Sequence, residues 1–193
     1  DLGQLKPRQA ARHAPSLPLR LAVAQAGTVH PESALLEALR AQPKLFREVV
    51  ALPAAPESRE LGSEVRQRDP EELLALAEQA GADAVLLVGG NLDASSSRTP
   101  FSILDLTILG YYLIPTCSVR ASGEATGAIL SVPDRRLVTT VDAASKTWRM
   151  SPSVSRHKAA EGLSKKLRRD LLTDLADDVA LAFAERGGVR IDP

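Results

Sequence analysis

Few residues in this chain have the types and spacing that catalysis requires. The three histidines, His13, His30 and His157, are far apart, and none has a second histidine or a carboxylate at metal-ligand spacing. The serine run 95–97 lacks the histidine and aspartate that would activate a serine nucleophile, so a loop is the expected structure there. The sequence therefore predicts no catalytic residue, no cofactor and no metal site.

The best candidate for ligand binding follows the apolar run 82–88, which is typical of a central strand covered on both faces. Gly89, Gly90, Asn91 and Asp93 come directly after this run. Because open α/β sheets bind ligands beyond the carboxyl ends of their strands, we predict a ligand-binding loop over 89–100, with a plain turn as the alternative. Asp83 and Asp93 flank the same strand. They are either solvated acids at the ends of the strand or an acid–base pair.

A basic patch lies within one turn of the last predicted helix, at Lys165, Lys166, Arg168 and Arg169. It could meet phosphate headgroups or the acids of a partner, or it could form a solvated helix face. The whole chain contains 24 Lys and Arg against 24 Asp and Glu, so no net charge draws it to nucleic acid. We therefore expect no nucleic-acid partner.

The segment 101–117 is apolar nearly all round when it is drawn as a helix. It is shorter than the roughly 20 apolar residues of a membrane span and contains Asp105, so we do not expect it to cross a bilayer. The apolar side chains of this segment are then buried in the protein core, against a partner subunit or at a membrane surface. The predicted partner-binding residues are Phe101, Ile108, Tyr111 and Tyr112, since aromatic side chains with polar tips are enriched at interfaces.

The remaining pattern predicts an α/β (α+β) fold with a mixed sheet. Apolar patterns and turn signals give a first strand from Leu19 to near Gly27, strands at 46–52 and 82–88, and a hairpin of strands 118–132 and 136–148. Helical spacing gives helices at 31–42, 71–80 and 153–186. The order is β-α-β-α-β, apolar helical insert, β-hairpin and long C-terminal helix, in one domain over 19–188 with a tail at 189–193.

Residues 1–18 are polar and contain proline, without the apolar core of a signal peptide, so they are expected to form a flexible tether. A tether before a compact domain is typical of a bacterial lipoprotein, and we expect a lipid-bearing cysteine upstream of Asp1. The single cysteine, Cys117, is predicted to be a small buried residue at a strand edge.

The element order, the hairpin VRASGEATGAILSVPDRRLVTTVDAASKTW and the long final helix resemble bacterial envelope domains of the CsgG and TolB-N-terminal type. The segment FSILDLTILGYYLIPT is similar to a stretch in the rhombotarget lipoproteins. The resemblance covers residues 19–186 and implies a binding or assembly role without catalytic residues.

We therefore predict a non-enzymatic lipoprotein of the bacterial envelope that acts in export or surface-structure biogenesis. It would be periplasmic, anchored to the outer membrane, and would dock another envelope protein or itself through 101–117. The alternative is a small α/β enzyme or ligand-binding receptor that uses the loop 89–100.

Overall fold

The computed structural model describes residues 17–54, 68–98 and 117–187. The strands are β1 (Leu19–Gln25), β2 (Phe46–Ala51), β3 (Ala84–Arg98), β4 (Cys117–Ser131) and β5 (Arg136–Ser151). The helices are α1 (Ser33–Arg40), α2 (Pro70–Gln79) and α3 (Arg156–Gly187), with a 3-10 turn, Ser153–Ser155, before α3. This order and the α+β class confirm the sequence-based prediction, while the predicted apolar insert lies outside the described residues.

The five strands form one mixed sheet in the order β2-β1-β3-β4-β5. β1 pairs in parallel with β2 and with β3, so that Leu21 lies opposite Val49 on one side and Ala84 on the other. Parallel neighbours require a crossover, which α1 supplies between β1 and β2. The short turn 132–135 makes β4 and β5 antiparallel, and the Val132 N–H donates to the Asp83 carbonyl at 3.1 Å, which sets the end of β4 beside the start of β3.

One compact unit contains the described residues up to 90, together with 125–143 and 172–187. Here the apolar side of α2 packs against the sheet in a cluster of buried residues that includes Leu73, Leu74, Ala77, Ala22, Val85, Ala128 and Leu130. Phe46 of β2 also meets Phe183 of α3 edge to face, with ring centroids 5.6 Å apart. β3 is buried from Ala84 to Val88, as predicted for a central strand.

The second compact unit contains the described residues 91–98, 117–124 and 144–171. Its core joins Val119 and Ala121 of β4 to Leu163 and Leu167 of α3. Gly123 lies in the same strand, and a Cβ built there would be 3.3 Å from the Asn91 carbonyl oxygen. The first half of α3 therefore covers Val119 and Ala121 of β4, and the backbone of β3 approaches β4 closely at Gly123.

The predicted loop at 89–100 is wrong for the residues that the structure describes. β3 continues through Gly89, Gly90, Asn91 and Asp93 as far as Arg98, which makes it 15 residues long, the same length as β4. Glycine and serine have low strand propensity, but pairing with a long neighbouring strand supplies backbone hydrogen bonds that override it. The ligand-binding residues predicted for a strand end thus lie within a strand.

Candidate functional site

A groove with a volume of about 550 Å³ lies in the second unit. Its described lining comes from the three strands β3, β4 and β5. The lining residues are Asp93, Ser95, Ser118, Arg120, Ala121, Ser122, Lys146, Thr147 and Trp148.

The alternation of β4 explains why polar side chains gather there. Successive side chains of a strand point to opposite faces. Val119 and Ala121 are buried in the core with α3, whereas Ser118 and Ser122 are half-buried and Arg120 is exposed. The even-numbered residues of this part of β4 therefore line the face of the strand that lies away from α3.

Trp148 is the main apolar side chain of the groove. It is 67% exposed and is the only tryptophan in the chain. Met150 follows two residues later on β5 and is 39% exposed. Burying a large aromatic side chain is worth a few kcal/mol, so an exposed tryptophan in a concave surface offers a favourable contact to a bound molecule.

The described lining of the groove also contains three charged residues, Asp93, Arg120 and Lys146, all of them exposed. None of the three takes part in an ion pair within the described part of the chain. Their charges are therefore available to a bound molecule. The described lining contains two cations and one anion, an excess of one positive charge.

The second unit as a whole shares this positive charge. The sequence ranges 91–124 and 144–171, which contain it, carry ten Lys and Arg and five Asp and Glu, a formal charge of +5. The rest of the chain carries 14 basic and 19 acidic residues, a formal charge of −5. The zero net charge of the protein thus conceals two oppositely charged units.

The described lining of the groove offers groups that are suited to binding a ligand. Among the described lining residues there is no histidine or cysteine to act as a base or nucleophile. No group of three or more His, Cys, Asp or Glu in the described ranges could hold a metal ion. What the lining offers is an aromatic surface, hydroxyl groups and unpaired charges, which bind ligands through stacking and hydrogen bonds.

The structure separates the residues predicted for ligand binding. Asp93 lines the groove, together with Ser95 of the predicted serine run, whereas Gly89, Gly90 and Asn91 are not among its lining residues. Asp83, predicted as a possible partner of Asp93, instead accepts the Arg20 backbone N–H at 2.7 Å and pairs with Arg47 at 3.2 Å. These contacts give Asp83 a structural role in the first unit.

The predicted basic patch lies on α3, and Lys165, Lys166, Arg168 and Arg169 are all exposed. Lys165 pairs with Glu161 one turn earlier, with its Nζ 2.8 Å from a carboxylate oxygen. This hydrogen bond lowers the pKa of Glu161 and raises the pKa of Lys165. None of the four residues is among those that line the groove.

The remaining predictions concern the partner-binding residues, the cysteine and membrane spans, and the first of these is not tested by the described residues. Phe101, Ile108, Tyr111 and Tyr112 lie outside the described residues. Cys117 is 1% exposed, which confirms its predicted burial at the edge of a strand. No described helix has an apolar stretch long enough to span a membrane.

Sequence reasoning missed Arg120, Lys146 and Trp148 as members of one site. The sequence of each strand contains a local indication of the site. In β4, small or apolar residues alternate with polar ones in SVRASGE, and in β5 the single tryptophan lies two residues after a lysine in SKTW. Grouping them requires the register between β4 and β5, which the sequence does not fix without the turn geometry.

No family model matches the chain, and a search of curated proteins also found no match. Among solved structures, the PelC dodecamer from Paraburkholderia phytofirmans matches with a TM-score of 0.40 and 13% identity, covering 95% of this chain and 97% of that one. The rare lipoprotein B from Shewanella oneidensis matches with a TM-score of 0.40 and 10% identity, covering 86% and 95%.

A minor lipoprotein from Acinetobacter baumannii matches with a TM-score of 0.39 and 10% identity, covering 93% of this chain and 100% of that one. The TM-scores and identities of all three are low, so function is inferred from the groove and not from these structures.

Proposed function

We propose that this protein is a non-enzymatic binding module of the bacterial cell envelope, and that the groove is its binding surface. The observation that carries this proposal is Trp148, which is 67% exposed in a groove whose charged lining residues form no ion pair with any described residue. Tryptophan and arginine are the residue types most enriched at the energetic centres of interfaces, and Trp148 and Arg120 share this surface.

Photo-cross-linking in living cells tests the proposal. p-Benzoylphenylalanine is placed at position 148, and at position 181 as a control, because Leu181 is also an exposed apolar residue but lies on α3. Light should produce a mass-shifted adduct from position 148 and little from position 181. Equal or absent adducts at the two positions would contradict a binding role for the groove.

The envelope location and the lipid anchor belong to the same proposal. They are supported by the resemblance of residues 19–186 to CsgG and TolB-N-terminal domains and by the polar composition of residues 1–18. Labelling of the full-length precursor with a palmitate analogue, followed by fractionation of the cell, tests both. An unlabelled protein in the cytosol would contradict them.

The apolar segment 101–117 is proposed as a second docking element, in the service of export or surface assembly. If it meets a partner, Tyr111→Asp and Tyr112→Asp should fold and lose association, since tyrosine suits an interface. Ile108→Asp tests the alternative that the segment belongs to the protein core, because a charge placed in a core would unfold the domain. Melting temperature and sedimentation of the three variants distinguish the outcomes, and folded variants with unchanged association would exclude this segment as an interface.

A second candidate function is a small-ligand receptor. It is favoured by the position of Asp93 and Ser95, which come from the predicted segment 89–100 and line the groove. The groove volume of about 550 Å³ also falls in the usual range of ligand clefts, roughly 300 to 1,000 Å³. Native mass spectrometry of protein purified from the envelope would detect a retained small molecule.

A further inference from the structure

We infer that the ligand of the groove is an acidic carbohydrate. This inference rests on the proposed function, because it names the chemical class that the same groove receives. Three independent properties of the lining support it: a flat exposed ring, an excess of unpaired cations and a polar wall of hydroxyl groups.

The ring is Trp148, whose large exposed area gives an open apolar face. Lys146 lies two residues away on β5, which places the two Cα atoms about 7 Å apart on the same face of the strand. A cation is thus fixed beside the ring. A ligand that stacks a flat, partly apolar ring on the indole can therefore bring an anionic substituent to Lys146.

The second cation of the groove, Arg120, also indicates that this substituent is negatively charged. Arg120 reaches the groove from β4, and neither it nor Lys146 forms an ion pair with a described carboxylate, Asp93 included. Guanidinium and ammonium groups form their strongest hydrogen bonds with carboxylates and other oxyanions. Two cations that form no ion pair with any described residue favour a ligand that carries negative charge.

The hydroxyl groups and Asp93 indicate the rest of the ligand. Ser95, Ser118, Ser122 and Thr147 line the groove and can both donate and accept hydrogen bonds, while Asp93 accepts them. Such a wall matches a ligand rich in hydroxyl groups. Single-stranded nucleic acid would need successive aromatic side chains, and the described lining contains one. A saccharide with carboxylate groups meets all three requirements.

The test uses the emission of Trp148, which is selective because the chain has one tryptophan. The purified full chain is titrated with tetragalacturonate, with neutral maltotetraose and with a tetra-aspartate peptide, under excitation selective for tryptophan. The acidic saccharide should change the emission saturably and bind about tenfold or more tightly than either of the other two. Its affinity should fall with added salt, because the contacts are ionic.

Matched variants locate the binding. Arg120→Ala and Lys146→Ala should each weaken tetragalacturonate binding about tenfold. Lys166→Ala removes the same charge from the same unit but lies on exposed α3 outside the groove, and should change binding by less than about twofold. All replaced side chains are exposed, and circular dichroism checks that each variant is folded.

Four results would overturn the inference. An unchanged Trp148 emission with tetragalacturonate, equal affinity for maltotetraose, or equal weakening by Lys166→Ala and Lys146→Ala would each contradict an acidic carbohydrate site. Binding of the tetra-aspartate peptide alone would also contradict it, while leaving the groove as a binding surface. Loss of the proposed function itself is recognised separately, by the absence of a cross-link from position 148 in cells.

Discussion

Trp148 and Gly127 show how single residues divide this chain between function and stability. Trp148 is exposed although its burial would stabilise the fold by a few kcal/mol, and the proposed binding role of the groove accounts for this exposure. Gly127 is the reverse case, because it is buried and its lack of a side chain lets the sheet and α3 approach. A Cβ built there would be 2.9 Å from Val141 Cγ2 and 3.1 Å from Leu86 Cδ1.

Substitution of two glycines by alanine should therefore have opposite effects. Gly127→Ala should lower the free energy of unfolding by about 1 to 3 kcal/mol, since the added methyl group overpacks the core. Gly162→Ala is the matched control, because Gly162 lies in α3 with no atom within 4 Å of its built Cβ. It should raise stability by about 1 kcal/mol, the gain in helix propensity. Chemical denaturation measures both, and a shift of the same sign in both variants would contradict the packing described.

The ion pair of Glu161 and Lys165 makes a prediction about pH. The hydrogen bond from Lys165 lowers the pKa of Glu161, so any stabilisation from the pair is present above the ordinary carboxyl pKa and is lost as pH falls through the lowered value. The raised pKa of Lys165 means that the contribution is also lost as pH rises through that value. Both groups are fully exposed, so the effect on stability is small.

An NMR titration of the Glu161 carboxyl tests this pair directly. Lys165→Met should raise the pKa of Glu161 toward its ordinary value, because the donor of the hydrogen bond is removed. Lys166→Met removes a neighbouring charge on the same helix and should leave the Glu161 pKa nearly unchanged. The pair is disproved if Lys165→Met leaves that pKa where it was.

At the scale of secondary-structure elements, α3 packs against the sheet with one of its faces and exposes another. Leu171 is 4% exposed, whereas Leu181 on the same helix is 50% exposed. Leu171→Ala should cost about 2 to 5 kcal/mol through lost burial and a residual cavity. Leu181→Ala should stay within about 0.5 kcal/mol of the parent. Equal effects on the free energy of unfolding would show that the buried face of α3 has been assigned incorrectly.

The elements themselves were largely predictable from sequence. The apolar spacing of Leu73, Leu74, Leu76 and Ala77 predicts the buried side of α2, where Leu76 is partly buried and the other three are buried. The turn at 132–135 predicts the hairpin of β4 and β5. Both signals are local, because helical periodicity and turn residues act within a few positions. They need no knowledge of which strands are neighbours.

The length of β3 was not predictable in the same way. Gly89, Gly90 and the serine run have the composition of a loop, yet they continue the strand to Arg98 because β4 pairs beside them. The groove was not predicted either, because it also depends on which strands are neighbours. Asp93, Arg120 and Trp148 are far apart in the chain, and only the order and register of three strands bring them onto one surface.

At the scale of the whole molecule, the charge distribution supports a division of roles. The unit that contains α2 and most of the apolar core has a formal charge of −5, and the unit that contains the groove has a formal charge of +5. Fields of this kind steer charged ligands toward one part of a surface without changing the net charge of the protein. A zero net charge therefore does not exclude an anionic ligand for this chain.

The central claim is that the groove is occupied when the protein is in its native setting. Hydroxyl-radical footprinting of intact cell envelopes, compared with the purified protein, measures this occupancy at single residues. Trp148 should be oxidised several-fold more slowly in the envelope, while exposed Leu181 on α3 reacts at a similar rate in both samples. Equal oxidation of Trp148 in the two samples would contradict the assignment of the groove as the binding surface.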